Sequence, residues 1–180
     1  MAITDKIIER TKSFEGFREK PYKDTVGKWT IGFGRNLEDN PLSIDEVILL
    51  FQRTAFKDTK AAEDWFEMLL RHDLESHSKE LKNSLAMFPM CDQDEKTVLI
   101  DMAFNMGVPN LLTFRNMLHA IDNEDKVTAA VELLDSKYAE TVKTRAVANA
   151  KIIARGRYHE AVDGLKAKNP SRYKSLERFI

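Results

Sequence analysis

Cys91 is the only cysteine in 180 residues, so the chain has no internal disulfide to form and nothing in it demands an oxidising compartment; the residue reads as a small buried hydrophobe. No apolar run approaches the roughly 20 residues of a membrane-spanning helix, which argues against stable insertion in a bilayer. The first twenty residues carry Asp5, Lys6, Glu9, Arg10 and Lys12 where an export signal would have an apolar core. Net charge is −1, with no recognisable DNA- or RNA-binding motif, so nucleic acid is not an expected partner. His72, His77, His119 and His159 lack the helical spacing of a metal-binding pair. There is no phosphate-binding glycine loop and no G-x-S-x-G elbow. Neither a metal nor a cofactor is expected.

What is present is an ordinary globular composition, 43% hydrophobic and 32% charged, long enough for one compact domain or two closely joined lobes. Charge is unevenly placed. Residues 38–101 hold fifteen acidic and seven basic side chains, whereas residues 137–180 hold eleven basic and four acidic ones. The C-terminal end should therefore attract polyanions unless its charges are solvated helix faces.

The stretch FEGFREKPYKDTVGKWTIGFGRNL, residues 14–37, carries the densest chemical signal. Ile7, Thr11 and Phe14 form a helical stripe that Glu15 closes and Gly16 terminates. A carboxylate at a helix C-terminus meets the negative end of the dipole, a field that favours the protonated carboxyl a general acid needs. From Lys28 to Gly34 the chain alternates, with Trp29, Ile31 and Phe33 on one face and Thr30, Gly32 and Gly34 on the other. Glycine in a strand marks close approach of a ligand or another backbone, so the second face reads as a sugar-sized floor. Asp24, in the DTVG turn, puts a second carboxylate at its mouth. Taken singly, Asp24 is also an ordinary turn former and Thr30 an ordinary strand residue.

Further along, Ser43 and Glu46 read as a capping box, followed by an apolar stripe of Ile44, Val47, Ile48 and Phe51. A long helix starts near Asp58 or Thr59 and carries Ala62, Phe66, Leu70, Leu74, His77 and Leu81 on one face. Val98–Met106 is apolar except for Asp101 and Asn105, which share a face. They either find partners in the core or let Asn105 reach a cleft. Asp92, Asp94 and Glu95 read as the acidic start of that helix. Later helices are expected over Leu111–Ile121, Val127–Leu134 and Lys143–Arg155, with no strand after residue 40. Arg145, from its sequence context, reads as a surface arginine. The basic end, residues 164–180, reads as a frayed or loosely docked tail, with attraction to anionic envelope surfaces as the alternative.

Glu15, Asp24 and Thr30, set in PYKDTVGKWTIGFG, closely resemble the phage-type lysozymes, a muramidase family. LIDMAFNMG and SKYAETVKTRAVANAKIIARGRY are similar to later segments of the same family, and the likeness spans about residues 5–162. It implies a two-lobed, mainly helical α+β fold. A small antiparallel sheet lies in an N-terminal lobe of about 14–58, and a connecting helix runs over about 59–82. The helical lobe covers about 83–163 with residues 1–13. It also implies an active site between the lobes and hydrolysis of the β-1,4 bond between N-acetylmuramic acid and N-acetylglucosamine in peptidoglycan. Glu15 would be the acid, and Asp24 and Thr30 would hold the attacking water. Expected substrate contacts are Gly32, Phe33 and Gly34, with Asn105, Tyr138 and Arg145. The resemblance makes Arg145 a candidate partner of Glu15, and Tyr138 replaces a frequent Trp. It further implies a monomer made in the host cytoplasm that reaches periplasmic peptidoglycan with the help of a holin. Arg35 departs from the family, which often has histidine there. A lytic transglycosylase or a non-hydrolytic murein-binding phage module are the rival readings.

Overall fold

The computed structural model describes residues 3–52 and 59–180 and divides into two compact units, Met1–Ser76 and His77–Ile180. It is mainly helical, with one three-stranded antiparallel sheet, as expected.

The first unit opens with α1 (Asp5–Glu15), which buries Ile7, Ile8 and Thr11. It stops where expected: Gly16 has φ 67° and its N–H donates to the Lys12 carbonyl, a conformation that glycine adopts without strain. Three strands follow, β1 (Arg18–Lys23), β2 (Trp29–Gly32) and β3 (Arg35–Asn36), in the order β1-β2-β3. Tyr22 pairs with Thr30 and Lys23 with Trp29; Thr30 also pairs with Asn36, and Ile31 with Arg35.

The expected alternation fails at its end. Gly32 and Gly34 both take positive φ, 64° and 83°, so the strand ends at Gly32 and the turn swings Phe33 inward. The Phe33 ring is buried, 5.1 Å from that of Phe17. Exposure does not follow the two faces either. Trp29 is 47% exposed, whereas Thr30 and Gly32 are buried.

Next come α2 (Ile44–Gln52) and α3 (Thr59–Ser84), the latter running across the boundary between the units. The capping box forms, with Ser43 Oγ accepting from Glu46 N–H at 3.2 Å and Glu46 Oε2 accepting from Ser43 N–H at 2.8 Å. The apolar stripe after it does not pack as expected. Ile44 and Ile48 are exposed, and Glu46 is the buried side chain, because it has a buried cationic partner, Arg35. The side chain of Phe51, and Asp58, lie outside the described residues. On α3, Ala62, Phe66, Leu70, Leu74 and Leu81 form the buried face. Arg71 donates to the Ile3 carbonyl at 3.0 Å and to Asp5 at 2.9 Å, and Lys12 to Glu67 at 2.8 Å. Ile3, Asp5 and Lys12, from the stretch expected with the helical lobe, make these contacts within the first unit.

The second unit contains α4 (Gln93–Met106), α5 (Val108–Leu111), α6 (Arg115–Asp122), α7 (Lys126–Leu134), α8 (Lys137–Val142), α9 (Thr144–Ala154), α10 (Tyr158–Lys168) and α11 (Pro170–Leu176). Asp92 caps α4, accepting from the N–H groups of Asp94 and Glu95 while Glu95 accepts from Asp92 N–H; this is the acidic helix start read from sequence. Val98 to Ala103 are all buried, and α4 packs on α9, which packs on α7. Leu111 to Ile121 is not one helix: it breaks after Leu111 and restarts at Arg115.

The tail is the largest departure. Residues 164–180 are not frayed: Leu165 and Leu176 are completely buried. Lys168 meets Glu132 at 2.5 Å and Asp135 at 3.3 Å. Asn169 donates to Asp135 at 2.7 Å, and Arg172 pairs with Glu140. The basic residues that suggested a free polycationic end are in part neutralised by acids of α7 and α8. Leu176→Ala should therefore cost about 2–5 kcal/mol, the usual range for a buried leucine. Thermal melts of this variant and of a chain ending at residue 163 check this, and an unchanged melting temperature in both would mean that the docked helix adds nothing.

Candidate active site

Glu15 is the last residue of α1, and the backbone meets its carboxylate directly. A Cβ built on Gly34 would lie 2.7 Å from Glu15 Oε2, inside van der Waals contact. Gly34 suits the position by its φ of 83°, and any side chain there would push the Glu15 carboxylate aside. Gly32, expected as open floor, has a different reason to be glycine. A Cβ there would lie 2.4 Å from Phe66 Cδ1, so the Phe66 ring of α3 packs on that residue. Phe33, packed with Phe17 and buried, presents no stacking surface. In the structure both residues take part in packing, Gly32 against Phe66 and Phe33 against Phe17.

Asp24 organises its turn as any turn former would. Its Oδ1 accepts from Val26 N–H at 2.9 Å and from Lys28 N–H at 2.8 Å. Among the described residues no hydrogen bond engages Oδ2. Thr30, on the central strand, donates its hydroxyl to the Lys28 carbonyl at 3.3 Å, which leaves the oxygen able to accept.

Tyr22, which sequence reasoning overlooked, ties these groups together. It is the register partner of Thr30, and the Arg18 guanidinium lies 4.4 Å from its ring centroid. Burial raises the pKa of its phenol; Arg18 opposes this, and the charges of Glu15 and Asp24 push it further up. The signal was available in the PYKD alternation, which puts Tyr22 opposite the threonine.

Arg35 is buried and fully engaged. It donates to both oxygens of Glu46 at 2.9 and 3.0 Å, and to the carbonyls of Asn40 and Pro41, each at 3.1 Å. It also meets Asp73 at 3.5 Å, and Asn40 donates to Asp73 at 2.8 Å. Burial works against the charge on Glu46, but the hydrogen bonds from Arg35 and Ser43 outweigh it and hold its pKa at about 2. Asp73 goes the other way, its pKa raised by burial.

In the second unit, Asn105 is exposed near the end of α4. Tyr138 is buried edge-on to Phe114, with centroids 6.1 Å apart, and borders an open cleft of about 500 Å³ that Arg115, Glu132, Asp135 and Lys137 also line. Arg145 is not a surface residue. It is 5% exposed and donates through Nε and Nη2 to the two oxygens of Asp101, at 3.1 and 3.0 Å, while Asn149 donates to Asp101 at 2.9 Å. Asp101 thus has core partners, one of the two outcomes its face allowed. Among the described residues no cluster of His, Cys, Asp and Glu could hold a metal ion, and no helix is long and apolar enough to cross a membrane.

The Phage lysozyme family model matches residues 12–155. A "Probable T4-type lysozyme 1" of Dictyostelium discoideum is 29% identical over 153 residues, covering 79% of this chain and 90% of the relative. A second from the same organism is 25% identical over 146 residues, covering 76% and 86%. An "Endolysin" of Acyrthosiphon pisum secondary endosymbiont phage 1 is 27% identical over 134 residues, covering 74% and 79%. With the family model spanning most of its length, the chain belongs to the phage lysozyme family.

Proposed function

We propose that this chain is an N-acetylmuramidase that hydrolyses the β-1,4 bond between N-acetylmuramic acid and N-acetylglucosamine in peptidoglycan, with inversion at the anomeric carbon. The observation that supports this reading is one unit that sets the Glu15 carboxylate against Gly34 and places Asp24 in the turn leading into the strand of Thr30. Two carboxyl groups are the minimum equipment for a glycosidase of this type. Glu15 protonates the leaving oxygen. A water donating one hydrogen to Asp24 Oδ2 and the other to Thr30 Oγ1 keeps its lone pair for attack on the sugar, and Asp24 takes the proton released. Thr30 suits this role because its own hydrogen is already committed to the Lys28 carbonyl.

A hydroxyl beside the second carboxylate has a purpose if water attacks and none if the carboxylate itself attacks. That is why inversion is favoured over the covalent route. Gly34 gives the saccharide a side-chain-free approach to Glu15. Cleavage of the β-linked substrate should release the α-anomer first. Proton NMR of a murein oligomer, read before mutarotation, checks this; a β-anomer appearing first would make Asp24 the nucleophile and remove the water-holding role of Thr30.

A further inference from the structure

We infer that Arg35 is a positioning residue for the catalytic acid: pinned by Glu46 and Asp73, it holds the β2–β3 turn so that Gly34 bears on the Glu15 carboxylate and Thr30 keeps its register. This rests on the reading of Glu15 as the acid.

Arg35 directly follows Gly34, the residue whose backbone lies against Glu15 Oε2. Between Gly32 and Arg35 the turn contains only Phe33 and Gly34, and two of these four residues have positive φ. Such a turn has few preferences of its own, since glycine occupies many backbone conformations at similar energy, and it needs an anchor at each end. Phe33 provides one, through its buried ring against Phe17. Arg35 provides the other.

β3 is only two residues long, and its register with Ile31 and Thr30 is carried by Arg35 and Asn36. A ladder this short fixes little alone. The guanidinium fixes more, because its planar fork grips Glu46 bidentately while Nε and Nη2 bind the Asn40 and Pro41 carbonyls. These partners come from the loop before α2 and from α2 itself; Asp73, from α3, closes the set at 3.5 Å. A lysine has one point of charge and cannot hold three elements in this geometry. The anchor is shared by both halves of the chemistry, since β3 supports Thr30 on one side and the Gly34 contact to Glu15 on the other.

The test is steady-state kinetics of Arg35→Lys on a soluble murein oligomer, well below the melting temperature, with the folded fraction verified by circular dichroism. A misplacement of the order of 1 Å in a catalytic group lowers turnover about a hundredfold, so kcat should fall by about tenfold to a hundredfold with KM within twofold of wild type. Glu46→Gln, which keeps the shape of the partner and removes its charge, should move kcat the same way. Adding methylguanidinium to Arg35→Ala should recover part of the lost turnover. If both variants melt earlier yet turn over as wild type does, Arg35 only stabilises the fold and the inference is wrong. If Arg35→Lys fails to fold, Glu46→Gln alone decides by the same split. Glu15→Gln separates the two readings: should it retain turnover, the assignment of the acid fails. Should it be inactive while Arg35→Lys is fully active, only the role of Arg35 fails.

Discussion

Glu15→Gln should fold as stably as the wild type, or slightly more so, and lose at least about a hundredfold in lytic rate, the lower end of what a general acid contributes. The two halves of this expectation have one cause. A carboxylate in the last position of α1 faces the negative end of the helix dipole, which costs some tenths of a kcal/mol up to about one. Replacing it by an amide of nearly the same shape removes that cost while keeping the close packing on Gly34. The amide has no acidic proton to give. Turbidity loss of chloroform-treated Gram-negative cells and a thermal melt measure both halves. Comparable lytic rates in mutant and wild type would end the assignment of Glu15.

The largest stability effect should come from Asp101→Ala. Asp101 is completely buried on α4 and accepts from Arg145 and Asn149. Removing one member of a buried ion pair costs about 3–5 kcal/mol, because the Arg145 guanidinium and the Asn149 amide lose a shared buried acceptor. Asp101→Asn, which can still accept one hydrogen bond, should cost less. Denaturant melts of the two variants check the order. Equal stability of Asp101→Ala and wild type would mean that Arg145 finds another acceptor or that water enters. Because the pair joins α4 to α9 in the middle of the second unit, the loss should be cooperative rather than local.

What was legible in the sequence followed local rules. The Glu15–Gly16 helix end, the Ser43–Glu46 capping box, the acidic start at Asp92 and the buried stripe of α3 each depend on residues within a few positions of one another. What was not legible depends on contacts far along the chain. The bare strand face read as a floor because Phe66, which packs on Gly32, lies 34 residues beyond it. Arg145 read as a surface residue because its partner, Asp101, is 44 residues away. The stripe of α2 turned to water because Glu46 is drawn inward by Arg35, 11 residues before it. The basic tail docks because Glu132, Asp135 and Glu140 receive its charges, and a charge count cannot reveal such pairing. In the candidate site, the place of Tyr22 opposite Thr30 was not legible, because it comes from register.

The central claim is that water cleaves the glycan strand. Digesting purified peptidoglycan in ¹⁸O-labelled water and weighing the muropeptides by mass spectrometry tests it directly. Hydrolysis by Glu15, Asp24 and Thr30 predicts reducing N-acetylmuramic acid ends carrying one labelled oxygen, and none of these products in Glu15→Gln. Unlabelled 1,6-anhydro ends would instead mean that the sugar's own hydroxyl attacks, and would leave the water site at Asp24 and Thr30 without a function.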